Sequence, residues 1–347
     1  MSKHSQTELN LLPGLGDYPR AKLFSSPTDI EPLTRLGNRL GIDLEIKRDD
    51  LLPVAMGGNK VRQLEYYLGE AVAQDADTIL ITGAVQSNFV RLCAASARKL
   101  GLDAHVQLED RVPRDDDFYN LSGNVLLNQL LGATVHYFLG EQNEVAADVN
   151  LDSLASELRS AGKSPYVIHL GTDHPPLGGL GYARAAAELF LQYQALGRMP
   201  DHIVLGSGSG LTHAGLLAGA RTIGWQVPVH GICVRRPASE QRQRILKRSD
   251  EICHMLGAKY KIASSDISVD DSTFHPGYGK MNQMVRNAME YAALDEGLLL
   301  DPVYTGRALA GMIALTERNV ITQGQTVTFI HTGGLPAIFA YQKELSH

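Results

Sequence analysis

Ile203-Val204-Leu205-Gly206-Ser207-Gly208-Ser209-Gly210-Leu211-Thr212-His213-Ala214-Gly215 runs from a short β-branched strand, through glycine, into a helical pattern. Glycines bare their backbone N–H groups, the Ser and Thr hydroxyls add donors, and a helix N-terminus adds positive potential. The stretch reads as an anion cradle of phosphate size, with an uncommitted glycine turn as the alternative. It is not a P-loop, because no Gly-Lys-Ser/Thr ends it. The dinucleotide spacing from Gly206 also fails, since Leu211 stands at the last glycine position, which disfavours an NAD enzyme.

The same alternation extends in both directions. Strands are predicted over 78–82, 102–108, 134–139, 166–170, 203–205, 227–234 and 326–331. Helices are predicted over 88–100, 125–131, 151–161, 180–195, 212–222 and 282–294. Short apolar strands separated by helices indicate βαβ units in parallel sheets covered on both faces. There are too many units for one small sheet. The expected class is therefore α/β, with two open, twisted, mostly parallel sheet domains and helices on both faces. Residues 111–117 (RVPRDDD) and 264–280 read as solvated connections.

Bulk properties narrow the function. A chain of 347 residues has room for two domains. A net charge of −6, without a Lys/Arg run, argues against a nucleic-acid surface. Cys93, Cys233 and Cys253 are too far apart for a metal-ligand or CxxC pattern, so no metal is expected and the thiols read as reduced. Residues 1–16 carry no signal-peptide pattern, and no apolar run is long enough to span a bilayer. A cytoplasmic protein without membrane contact is the expectation.

The segment Met56-Gly57-Gly58-Asn59-Lys60-Val61-Arg62, followed by Gln86-Ser87-Asn88, places a lysine after two glycines. Glycines permit positive φ and close approach to a flat ligand. A desolvated lysine there would have a lowered pKa and a nucleophilic amine, the requirement for a Schiff base with an aldehyde cofactor. The bland alternative is a turn whose lysine points to water. Two further glycine motifs follow: His331-Thr332-Gly333-Gly334 after a strand, and Leu300-Asp301-Pro302-Val303-Tyr304-Thr305-Gly306, with Pro276-Gly277-Tyr278-Gly279 upstream. Thr332 could bond a ring nitrogen or a substrate group. Tyrosines in such loops can donate protons or stack on rings. His331 itself reads as a packed or hydrogen-bonded histidine.

With Ile46-Lys47-Arg48-Asp49-Asp50 and the GLGY of residues 179–182, these motifs occur in one order, and the chain resembles the D-cysteine desulfhydrase and 1-aminocyclopropane-1-carboxylate (ACC) deaminase family of pyridoxal-phosphate (PLP) enzymes. The likeness covers about residues 46–341. It implies the tryptophan-synthase-β-like fold (PLP fold type II), with a larger PLP-binding domain of residues 1–61 and 176–347, a smaller α/β domain of residues 62–175, and the active site in the cleft between them. It implies that Lys60 holds pyridoxal 5'-phosphate as a Schiff base and later moves the Cα proton. Ser87 would meet the substrate carboxylate or assist proton transfer, and Asn88 would contact the ring hydroxyl. Ser207, Gly208, Ser209, Gly210, Leu211 and Thr212 would bind the phosphate. Tyr278 and Tyr304 would line the substrate side. A small amino-acid substrate and a homodimer are the family's expectation.

Within this resemblance two positions separate the activities. ACC deaminases have Glu and Leu where this chain has Thr305 and Thr332, both of the desulfhydrase type. A threonine facing the pyridine nitrogen supports protonation more weakly than a carboxylate. That suits β-elimination with a good leaving group. The expectation is a carbon–sulfur lyase acting on a β-substituted alanine, first D-cysteine, giving pyruvate, sulfide and ammonia. L-Cysteate, ACC, and a catalytically inactive amino-acid-binding homologue are the alternatives. Phe89 departs from the family's histidine, and Gly171-Thr172-Asp173-His174 from the desulfhydrase run. His174 or Asp173 would then touch a substrate group or serve the loop.

Overall fold

The computed structural model describes residues 3–112, 114–140 and 143–346. Its strands in chain order are β1 (Ile30–Pro32), β2 (Asp43–Lys47), β3 (Thr78–Ala84), β4 (Asp103–Glu109) and β5 (Thr134–Phe138). Then follow β6 (Pro165–Ile168), β7 (His202–Ser207), β8 (Val229–Cys233), β9 (Ser268–Asp270) and β10 (Thr326–Ile330). They form two sheets. One has six strands in the order β1-β2-β10-β7-β8-β9, and the other four in the order β5-β4-β3-β6. Every pairing is parallel except β1 with β2. The expected α/β class with two mostly parallel sheets is what the chain forms.

Parallel sheets need cover on both faces, and the burial pattern supplies it. In the larger sheet Ile203, Leu205 and Ile330 pack into one core, while Val204, Val327 and Phe329 pack into another on the opposite face. All seven residues of β3 are buried. Its two faces meet different clusters: Ile79 and Ile81 join one core, and Leu80 packs against Leu151 and Ala155. Among the described residues no helix is long and apolar enough to cross a membrane.

Three helices meet almost backbone to backbone beside the larger sheet: Lys60–Ala73, Leu177–Ala195 and Leu211–Thr222. A Cβ on Gly181 would lie 2.0 Å from the Arg62 carbonyl oxygen, and one on Gly215 2.3 Å from that of Gly179. At this junction lies a buried ionic knot. Arg62 grips Asp49 (Nε 2.9 Å, Nη2 2.8 Å) and Glu188 (Nη1 2.9 Å, Nη2 2.8 Å). Lys47 Nζ donates to Glu188 at 2.6 Å, and the Tyr182 hydroxyl donates to Asp49. Burial alone would raise the Glu188 carboxyl, but Arg62 and Lys47 outweigh it and hold the group far below the usual carboxylate range.

The elements differ from the sequence reading in instructive places. The helix expected at 151–161 spans Glu144–Ser160, because Asn143 caps it by accepting from the Ala146 amide at 3.0 Å. Helices Lys60–Ala73, Ala238–Met255 and Thr305–Glu317 were not foreseen. The two loops expected to be solvated are corrected: Arg111 and Val112 are buried, and Tyr278 reaches the main cavity. Cys93, Cys233 and Cys253 are free and buried.

Replacing Arg62 with Met leaves two buried carboxylates facing one lysine. Such a loss costs about 3–5 kcal/mol. Arg62→Met should shift the urea unfolding midpoint clearly downward; an unmoved midpoint would show that the knot does not hold these elements together.

Candidate active site

A cavity of about 800 Å³ opens where strand ends from both sheets converge. Its walls follow the carboxyl ends of β3, β4, β7, β8 and β10, the edge at which open parallel sheets hold ligands.

Lys60 stands on this wall as the first residue of its helix. The loop before it is fixed by interlocking glycines. Gly58 adopts φ +123° and Gly333 φ +84°. A Cβ on Gly333 would lie 2.7 Å from the Gly58 Cα, so Gly333 has no room for a side chain, and one on Gly58 would press on the Thr332 carbonyl oxygen at 3.0 Å. Asn59 N donates to the Thr332 carbonyl at 3.1 Å and Gly58 N to that of Asp49 at 3.0 Å. The Lys60 Nζ lies 3.4 Å from Gln63 Oε1 and 5.1 Å from the Phe89 ring centroid. Among the described residues no carboxylate pairs with it. Desolvation pulls the amine down to about 8.

The 206–212 loop forms the opposite end. Gly206, Gly208, Ser209, Gly210 and Thr212 line the cavity, and Gly210 at φ +98° leads into the helix Leu211–Thr222. The Thr212 oxygen accepts from Asn59 Nδ2 at 2.7 Å and Gln63 Nε2 at 2.9 Å. Both lone pairs are thus engaged, and the hydroxyl proton is left to donate. Arg236, Gln241 and Arg244 bind the carbonyls of Gly208 and Ser209 from behind. The amides of Ser209 and Gly210 have no protein acceptor among the described residues. A helix N-terminus with unpaired amides and a donating hydroxyl suits a phosphate dianion.

The remaining predicted residues divide into two groups. Ser87 caps the helix Asn88–Lys99, with Oγ accepting from the Val90 amide at 3.3 Å. The Asn88 Oδ1 accepts from Arg91 at 2.8 Å and Asn124 at 3.1 Å, so its NH₂ is the end left for a ligand. Tyr278 and Tyr304 hydroxyls lie 3.0 Å apart. Burial, then Tyr278, raises the Tyr304 phenol well above its ordinary value. Thr332 lines the cavity with these residues. Ser207, Leu211 and Thr305 do not. Ser207 Oγ accepts from Gln241 at 2.8 Å, and Leu211 packs into the core. The Thr305 hydroxyl donates to Asp301 Oδ1 at 2.7 Å and accepts from the Asp301 amide at 2.9 Å.

The residues 171–174 form a strap beside the cavity. His174 stacks on His169 with ring centroids 3.7 Å apart, and Arg248 binds the carbonyls of Gly171 and His174. Leu170, rather than His174, reaches the wall, and so does Phe89. Arg111 and Arg235 also line it, and sequence reading missed both. Each sits just beyond the end of a parallel strand, β4 and β8 respectively, the same signal that drew attention to Thr332.

This site can be set beside known proteins. The pyridoxal-phosphate dependent enzyme family matches residues 22–333. The chain belongs to that family. It is 38% identical over 335 residues to a D-cysteine desulfhydrase of Klebsiella pneumoniae (strain 342), covering 96% of this chain and 99% of that relative. It is 39% identical over 324 residues to a D-cysteine desulfhydrase of Salmonella choleraesuis (strain SC-B67), covering 93% and 96%. Among solved structures, an ACC deaminase homologue superposes with a TM-score of 0.85 at 32% identity, covering 100% of this chain and 99% of the other. The fold is thus the tryptophan-synthase-β-like PLP fold. The residues present fit pyridoxal phosphate: a low-pKa amine for its aldehyde, and a cradle of orphan donors for its phosphate.

The lowered amine has a measurable consequence. An amine with pKa near 8 deprotonates as pH rises through that value, and only the neutral form attacks an aldehyde. Covalent capture of pyridoxal phosphate by cofactor-free protein should accelerate about tenfold per pH unit below 8 and level off above it. Stopped-flow absorbance would read the rate. A rate still climbing at pH 10 would mean an unshifted lysine.

Proposed function

We propose that this PLP-dependent enzyme is a lyase that removes the β substituent of a small amino acid, with D-cysteine as first substrate and pyruvate, sulfide and ammonia as products. The observation that carries the reading is the Lys60 amine in one cavity with the phosphate cradle and the Ser87–Asn88 turn. The names of two relatives at 38% and 39% identity support the choice of D-cysteine. So does Thr332 on the cavity wall, at a position where the family resemblance gives ACC deaminases Leu.

When bound, pyridoxal phosphate supplies an electron sink for the pair left at Cα. The protein supplies the rest. Lys60 would hold the cofactor by its amine, and the same amine is the base for the Cα proton. Ser87, at a helix N-terminus, receives the substrate carboxylate. The Asn88 amide NH₂ would hold the ring hydroxyl. Thr212, Ser209 and the loop amides would hold the phosphate, and Thr332 would face the ring from the cavity wall. Ser207, Leu211 and Thr305 act through backbone or neighbours, with Thr305 fixing Asp301. The tyrosine pair, whose hydroxyls lie 3.0 Å apart, would supply a phenolic proton to the departing sulfur. We read the two sheets as two domains, 1–61 with 176–347 and 62–175, in a cytoplasmic homodimer.

The test is a keto-acid assay of the holoenzyme on D- and L-β-substituted alanines and ACC. D-Cysteine should give pyruvate and sulfide in equal amounts. Lys60→Ala should abolish release while leaving the circular-dichroism spectrum unchanged. Release of 2-oxobutyrate from ACC, with D-cysteine inert, would move the assignment to a deaminase; keto acid from Lys60→Ala would remove Lys60 from its role.

A further inference from the structure

Behind the cavity wall lies a fully buried guanidinium with no part in the mechanism above. Arg91 stands one helical turn past Asn88 on the helix Asn88–Lys99, and the spacing puts both side chains on one face. Its Nη1 donates to Asn88 Oδ1 at 2.8 Å and to Asn124 Oδ1 at 2.8 Å. Its Nη2 donates to the Gly57 carbonyl at 3.0 Å. Gly57 belongs to the turn between β2 of the larger sheet and Lys60, whereas the helix of Arg91 follows β3 of the smaller sheet. One side chain thus ties the lysine turn to the residue we place at the ring hydroxyl.

The tie also decides which way two amides point. A guanidinium only donates, so each amide must show it an oxygen. Asn124 then has its NH₂ left, which donates to Asn88 Oδ1 at 3.1 Å and to the Gln86 carbonyl at 3.1 Å. Asn88 receives both donors on its oxygen and keeps its NH₂ for the cavity it lines. Among the described residues no carboxylate pairs with Arg91, and desolvation lowers its guanidinium to about 10. The buried Arg62 has Asp49 and Glu188, and the buried Arg111 has Glu109. A buried cation without a counter-charge is costly. The Asn88 amide carries its influence to the cavity. A donor on Oδ1 polarises the amide and makes its NH₂ a stronger donor. Such a donor is matched best by an anionic oxygen.

We propose that Arg91 is a positioning residue for the cofactor ring: it fixes the Asn88 amide with its NH₂ toward the cavity and tunes that amide to hold the ring oxygen as an anion. Its action passes through Asn88. The proposal rests on the placement of Asn88 at the ring hydroxyl, and it is independent of which amino acid is the substrate. The second bond, to Gly57, keeps this amide in register with the turn that carries Lys60.

The probes are pyridoxine 5'-phosphate and its 3-deoxy analogue. Neither has an aldehyde, so Lys60 captures neither, and they differ only in the ring hydroxyl. Each is titrated into the full-length protein stripped of cofactor, and the ratio of the two dissociation constants is the readout. In the wild type the 3-deoxy analogue should bind roughly 10- to 100-fold more weakly, the range for a hydrogen bond to a charged group. Arg91→Met should lower that ratio about tenfold, toward that of an uncharged bond. Arg91→Lys keeps the charge but not the fork, and should give an intermediate ratio; it decides the matter if the Met protein does not fold. Loss of a merely structural tie weakens both probes alike and leaves the ratio unmoved. A wild-type ratio in either variant would therefore overturn the proposal. Asn88→Ala separates it from the placement beneath it. A ratio lost in Asn88→Ala but kept in the Arg91 variants overturns this proposal alone. A ratio near one in the wild type overturns the Asn88 placement and this proposal with it.

Discussion

The ionic knot of Arg62, Asp49, Glu188 and Lys47 is the constraint on which the site depends. Arg62 is two residues past Lys60, Asp49 lies just beyond β2, and Glu188 is on the long helix Leu177–Ala195. All four side chains are at most 3% exposed. Burying two positive and two negative groups gains little over an apolar core of the same shape. What the knot supplies is placement, since each group is costly to bury without its partners. The lysine turn therefore has one position relative to the larger sheet. The close backbone contacts at Gly181 and Gly215 then bring the phosphate-loop helix to a fixed distance from it.

From that anchor the cavity follows by contact. Asn59 and Gln63, on either side of the lysine, both donate to Thr212, so the amine and the anion cradle share one hydrogen-bonded unit. The glycines of the lysine turn interlock with Gly333, which brings Thr332 to the same wall. Asp301 continues the chain of contacts. It receives the amides of Val303 and Tyr304 and packs against Gly334, so the tyrosine loop is registered to the same turn. The smaller sheet contributes Ser87 and Asn88 through the helix after β3.

Much of this was legible in the sequence. Seven strands, β3 to β8 and β10, are short apolar runs and stood out at close to their observed bounds; β1, β2 and β9 did not, and in β2 Asp43, Glu45 and Lys47 alternate with its apolar residues and mask the run. The helix Lys60–Ala73 did not, because Arg62, Gln63 and Glu65 are buried on it and break the apolar stripe that signals a helix. The helix Ala238–Met255 was hidden in the same way by Gln241, Arg248 and Ser249. In the site, glycine motifs marked where the backbone approaches the ligand but not which side chains face it. Ser207, Leu211 and Thr305 lie within motifs and point elsewhere. Arg111 and Arg235 lie outside any motif, and only the convergence of β4 and β8 makes them neighbours.

The opposite shifts of the Lys60 amine and the Tyr304 phenol follow from one cause. Desolvation disfavours whichever form of a group is charged. For the Lys60 amine the charged form is the protonated one, so its pKa falls to about 8 and a neutral base is within reach. For the Tyr304 phenol the charged form is the deprotonated one, so its pKa rises and the proton stays on. The same desolvation thus favours the neutral form of both groups at a single pH, with no carboxylate paired to the lysine among the described residues. Pairs of groups pushed apart in this manner define acid and base roles. Phe89 contributes to this arrangement. An imidazole at that position would add a polar, titratable neighbour beside the amine, whereas the phenyl ring at 5.1 Å excludes water and brings no proton of its own.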